Sequence, residues 1–340
     1  MSLGVVLHAA NVYSAAAGWV ISDPRRSIAF DLISDAIHVF RMPSFFWISG
    51  FFCAMTFERY GVRGLLRRRI PRLAIPMLST WLTLNVIQNY YVAYRAGRDP
   101  VAAVLRGVPV GHLWFLGNLI VYVAVAALVL AFLPVKRTVA NSVPESEWPI
   151  QLIALAVANF ALIVIARLTG IAYVPLFALT NIYGLANYGP FFAVGLLMYW
   201  QTDMRDAFLR TPPAMIVLAL PLALAANLFQ IGHGRIIGEM AHLTAIFATW
   251  LSIASLLALF RRIFQRGSPV TRLLSEASYS VYLFHQLVVI VLGLALIGVD
   301  VSPWVKFALV SVGTLLVTLA MHILFVRRFR VIRLLFNGRT

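Results

Sequence analysis

The chain has 340 residues, 61% of them hydrophobic and only 12% charged, with a mean hydropathy of +0.87. That balance excludes an ordinary soluble domain, whose charged share is about twice as large. The net charge of +16 would suggest nucleic acid in a soluble protein. Here the basic residues sit between long apolar stretches, so membrane topology explains the charge and no nucleic-acid partner is expected.

Ten apolar stretches of about membrane length follow one another, at 2–21, 36–57, 73–93, 113–133, 150–167, 186–200, 213–230, 241–260, 279–299 and 305–326. They leave no room for a separate soluble domain and show no internal repeat. The expected fold is all-α: one polytopic integral membrane domain over 1–340, with about ten transmembrane helices. With the loop after the second stretch placed in the cytoplasm, 19 Lys and Arg fall on that side and 9 on the other, Arg41 being counted among the latter. The positive-inside bias then predicts that both termini are cytoplasmic.

The first stretch carries His8, followed by Asn11, Tyr13 and Ser14. It has no basic flank, which argues against a signal peptide; a missing N-terminal segment is expected instead. The second stretch opens on Asp35, His38 and Arg41, three residues apart and so on one face of a helix. An Arg at the bilayer centre costs roughly 2.5–3.5 kcal/mol on insertion scales and is usually kept for function. Asp35 is placed to orient His38; the alternative is a structural salt-bridge strip at the helix mouth. Cys53 is the only cysteine, so neither an intramolecular disulfide nor a cysteine-rich metal site is possible.

Next comes the densest basic cluster, Arg67, Arg68, Arg69 and Arg72. It reads either as an anchor beside anionic headgroups or as a dock for a polyphosphorylated cytoplasmic donor such as coenzyme A, through bidentate charge-assisted bonds. His112 and Trp114 open the fourth stretch, as substrate contacts or as part of an interfacial aromatic belt, a reading that also covers Trp200. His285 lies in the ninth, and His233, His242 and His322 complete the seven histidines. One membrane histidine is often an interhelix hydrogen-bonding group; several together with an Arg are harder to read that way.

The chain has no His-x-x-x-His or His-Glu-x-x-His pattern, no Gly-x-Ser-x-Gly elbow, and no Walker or Rossmann glycine series. Metal, covalent serine and nucleotide-hydrolysing chemistries therefore lack support. What remains is direct transfer: a neutral imidazole as base, a hydroxyl of the substrate as nucleophile, and a cation for the developing charge. Composition and spacing do not rank His8 above His38 as that base. The competing class is a transporter of a glycan or organic acid, against which stands the lack of a two-fold repeat.

Five places, in order along the chain, carry a family resemblance: His8; His38-Val39-Phe40-Arg41-Met42-Pro43 running into 46–52; Arg69-Ile70-Pro71-Arg72-Leu73-Ala74-Ile75-Pro76; His112-Leu113-Trp114-Phe115-Leu116; and 278–285. Together they resemble the membrane-bound O-acyltransferases of the acyltransferase-three type. The pieces at 3–8, 35–41, 191–195 and 334–338 are most similar to the branch that succinylates osmoregulated periplasmic glucans. The resemblance implies a multi-pass protein of the bacterial inner membrane that takes succinyl or acetyl from acyl-CoA and gives it to a periplasmic glycan. It implies His8 as general base, with His38, Arg41 and Asp35 in the catalytic group. Arg67, Arg68, Arg69 and Arg72 would then hold the acyl-CoA, and His112, Trp114 and His285 the substrate. One departure stands out: the family's Arg about ten residues before the first histidine would fall before Met1.

Overall fold

The computed structural model describes residues 2–16, 19–132, 148–170, 175–176, 180–229, 234–264 and 266–339. His233 and most of the predicted loop 134–149 lie outside the described residues. Within them the helices run α1 (Ser2–Val12), α2 (Ile28–Thr80), α3 (Val86–Arg95), α4 (Pro100–Leu105), α5 (Trp114–Phe132), α6 (Trp148–Leu168), α7 (Ile182–Leu197), α8 (Thr202–Leu209), α9 (Ile216–Phe229), α10 (Arg235–Ile263), α11 (Pro269–Leu296), α12 (Pro303–Met321) and α13 (Arg330–Asn337). One antiparallel pair of two-residue strands, Pro175–Leu176 and Thr180–Asn181, precedes α7. The fold is that of an all-α membrane protein.

All ten apolar stretches contain helix, but they do not all have the length of a span. Among the described residues, six segments are long and apolar enough to cross a bilayer, or seven if the bent pair Thr202–Leu209 and Pro213–Phe229 is one span. The helices α1 and α7 are shorter. Local chemistry sets several starts. Asp99 accepts from the Val101 and Ala102 amides ahead of α4, with Pro100 at its first position. Ser268 and Thr271 form a capping box before α11, and Ser302 caps α12.

Two expectations are corrected. The first stretch is not a helix over 2–21: α1 ends at Val12, and the chain turns back on itself. The Val12 carbonyl accepts from the Asp23 amide at 2.9 Å and the Tyr13 carbonyl from the Ser27 amide at 3.0 Å. The Asp31 carboxylate accepts from the Ser14 hydroxyl, and from the Ala15 and Ala16 amides at 2.8 and 3.3 Å. These bonds replace those a continuing helix would have made. Nor is the basic segment after the second stretch a loop. It is part of α2, interrupted only at Gly61, whose φ of +65° and ψ of −174° are non-helical. Leu65, Leu66 and the three Arg that follow are all strong helix formers.

The chain divides into two compact units, one made of Met1–Ile37, Ile70–Gly117 and Gly267–Thr340, the other of His38–Arg69 and Asn118–Arg266. In the first, α1, α11 and α12 pack around Val5, Val12, Tyr13, Phe30, Val289, Ile290 and Val310. In the second, α2 and α7 touch backbone to backbone. A Cβ on Gly195 would lie 1.9 Å from the Trp47 carbonyl oxygen, and one on Gly50 would lie 2.0 Å from that of Phe192. Only glycine permits such an approach, the usual device for close helix pairs in membranes.

Candidate active site

Three histidines that are far apart in sequence meet within the first unit. His8 comes from α1 and is half-buried; its ring centroid is 5.0 Å from that of His285, which α11 buries to 3% exposure. The His112 ring stands edge-on to His285 at 5.4 Å. Trp19 stacks on His8 at 5.5 Å.

The scaffold explains why they meet. The helical run changes pitch at a five-residue π segment, Trp81–Asn85, a form often found at functional sites. From it the Trp81 indole donates to the Val108 carbonyl at 2.9 Å, and the Asn85 amide donates to the Pro109 and Val110 carbonyls at 3.1 and 3.0 Å. The loop so held enters a short 3-10 turn, Gly111–Leu113, which carries His112. Gly111 adopts φ +58°, and a Cβ there would sit 3.5 Å from the Gln286 amide nitrogen. The Tyr282 hydroxyl then donates to the His112 carbonyl at 2.6 Å.

His285 is fixed in turn. Its Nδ1 lies 2.6 Å from the Tyr282 carbonyl. A carbonyl only accepts, so Nδ1 carries the proton, and in the neutral ring Nε2 carries the lone pair. The site therefore holds one imidazole of defined tautomer beside a second on α1 and a third on the 3-10 turn. Such a group can accept a proton from a hydroxyl and pass it along. Among the described residues no three His, Cys, Asp or Glu side chains are grouped as metal ligands.

The other expected residues are each held by their own surroundings. Asp35, His38 and Arg41 fall one turn apart on α2, the first two exposed and Arg41 half-buried. Trp114 is half-buried at the start of α5, edge-on to Phe115. Of the basic cluster, Arg69 bonds the Thr56 hydroxyl through Nε and Nη2 at 3.2 and 3.1 Å. Arg68 lies 3.8 Å over the Tyr60 ring, a cation–π placement. Arg67 and Arg72 are exposed, and the Arg72 carbonyl accepts from Tyr279. Trp200 is not a belt residue: it is 4% exposed and donates to Glu58 at 2.8 Å.

Sequence reasoning gave no role to Trp19, Asn85, Tyr282 and Gln286. Two had a visible signal: Asn85 as an amide in an apolar stretch, and Tyr282 as part of the 278–285 motif. A separate polar group in the second unit was also missed as a group. Arg167 bonds both carboxylate oxygens of Glu239, at 2.9 and 3.2 Å, and reaches His242 Nδ1 at 3.2 Å.

An imidazole group held between apolar helices is equipment that could take a proton from a hydroxyl. Residues 1–323 match the family model for the acyltransferase domain of the acyltransferase-three type, and the chain belongs to that family. It is a membrane acyltransferase. Among curated proteins it is similar to glucans biosynthesis protein C of Escherichia coli strain K12, of strain UMN026 and of strain HS. Each is 28% identical over 367 aligned residues, which cover 100% of this chain and 92% of the relative. No solved structure matches the chain.

Proposed function

We propose that the protein is an O-acyltransferase of the bacterial inner membrane, moving a succinyl or acetyl group from cytoplasmic acyl-CoA to hydroxyls of a periplasmic glucan. The observation that carries the chemistry is the meeting of His8, His112 and His285. The name of the E. coli relatives, glucans biosynthesis protein C, supports the glucan, and the 19 to 9 distribution of basic residues supports cytoplasmic termini.

In this reading His8 takes the proton of an acceptor hydroxyl as the oxygen attacks the thioester carbonyl. The new C–O bond forms, the C–S bond breaks, and the proton returns to the departing thiolate. His285, whose Nδ1–H is engaged by the Tyr282 carbonyl, offers Nε2 to the proton held on His8. His112 and Trp114 contact substrate, His38 and Arg41 are assigned to the acceptor, with Asp35 orienting His38, and exposed basic residues meet the donor's phosphates.

The test is mass spectrometry of periplasmic glucans from cells with and without the gene. The expected result is the loss of one succinyl or acetyl increment per substituent, restored by the wild type and not by His8→Ala. Removal of a general base costs about 10²–10⁴-fold in rate. Unchanged glucans, or full transfer by well-folded His8→Ala, would overturn the assignment.

A further inference from the structure

Two of the four Arg of the expected donor dock have partners within the fold: Arg69 bonds Thr56 and Arg68 lies on the ring of Tyr60. A second basic feature is placed differently. α13 is a short amphipathic helix at the end of the chain, beyond the residues matched by the family model. It is anchored to the first unit at its C-terminal end. The Ser79 hydroxyl donates to the Leu335 carbonyl, and Gly338, at φ +61°, closes the helix so tightly that a Cβ would lie 2.5 Å from Arg72 Cα.

The helix also borders an open groove of about 360 Å³ lined by Arg330, Val331, Arg333 and Leu334. Arg330 and Arg333 are three residues apart, so their guanidinium groups project from one face. Arg333 Nε is buried with no hydrogen-bond partner among the described residues. Neither Arg forms an ion pair with a described carboxylate. A buried donor left unmade is costly, and an anion in the groove would complete it with a charge-assisted bond. The groove has room for a phosphate, and the forks match its oxygens.

We infer that Arg330 and Arg333 form a phosphate-binding site on the C-terminal helix. This deepens the acyltransferase reading, on which the donor arm rests: the phosphates at the nucleotide end of acyl-CoA are one source of the ligand. A phospholipid headgroup presents the same chemistry and is the other.

The test uses the full chain purified in detergent, with binding of coenzyme A measured by calorimetry and bound phosphatidylglycerol measured by native mass spectrometry. Arg330→Gln and Arg333→Gln are each expected to weaken one of these at least about tenfold, the loss of one charge-assisted pair of bonds. Arg333→Lys, which keeps charge but not the fork, should fall between wild type and Arg333→Gln. Arg339→Gln makes the same charge change outside the groove and should leave binding within about twofold. A coenzyme A effect assigns the site to the donor, and a lipid effect alone assigns it to the bilayer. If neither ligand is lost from either Gln variant, or if Arg339→Gln weakens binding as much, the inference fails. Binding is read without turnover, so a protein that binds through these residues but transfers no acyl group would overturn the acyltransferase mechanism and leave this site standing.

Discussion

Lys306→Met should be among the most damaging single changes outside the histidine group. Lys306 Nζ lies 2.8 Å from Asp23 Oδ2, with the side chains 2% and 1% exposed. At an effective dielectric of about 20 the Coulomb attraction at that distance is about 6 kcal/mol, close to what desolvating two ions costs. The intact pair is therefore near neutral against an apolar pair. Removing one partner is different. Among the described residues Asp23 would keep only the Arg25 amide, at 2.9 Å, for its buried charge, and the loss expected is about 3–5 kcal/mol. That is a large part of the 5–15 kcal/mol typical of a folded domain.

The consequence reaches the site, because the segment between α1 and α2 that Asp23 pins also carries Trp19, which stacks on His8. The assay is reversible unfolding in mixed detergent micelles for Lys306→Met, Asp23→Leu and the double variant, with acyl transfer measured alongside. The double variant should recover most of the stability, with a coupling of at least about 2 kcal/mol. A loss below about 1 kcal/mol for Lys306→Met, or singles that simply add in the double variant, would refute a desolvated pair.

Other consequences are direct. Gly195→Ala forces a methyl group into the Trp47 backbone, so α2 and α7 must separate; a loss of about 1–3 kcal/mol or more is expected, read as a lower thermal midpoint in detergent, and an unchanged midpoint would contradict the crossing. Tyr282→Phe deletes the hydroxyl that holds the His112 carbonyl. It should cost about 0.5–1.5 kcal/mol in stability and lower acyl transfer while the protein stays folded; wild-type turnover would remove Tyr282 from the positioning of His112.

Much of the outline was legible in order along the chain. The apolar stretches each contain helix because helix is the backbone solution that satisfies its own amides without water, and hydropathy reports that locally. The caps at Ser268 and Ser302 precede proline as sequence rules lead one to expect. The family was legible in five short motifs that stand in order along the chain, and the match over residues 1–323 bears it out. His8, His112 and His285 were each visible as chemistry-bearing residues.

What the tertiary structure alone decided was which of them belong together. Pattern within a stretch cannot say that residues 8, 112 and 285 converge, nor that Arg69 turns to Thr56. The same holds for where α1 ends. Residues 13–27 are apolar enough in part to continue a helix, and what stops them is partners supplied from a distance: Asp31 for the amides of Ala15 and Ala16, and Lys306 for Asp23. Hydropathy and propensity are sums over neighbours in sequence, whereas a buried charge or an unpaired amide is satisfied by whatever the fold brings to it. The sequence could therefore determine the class of protein and its solvent, and only packing could determine the site.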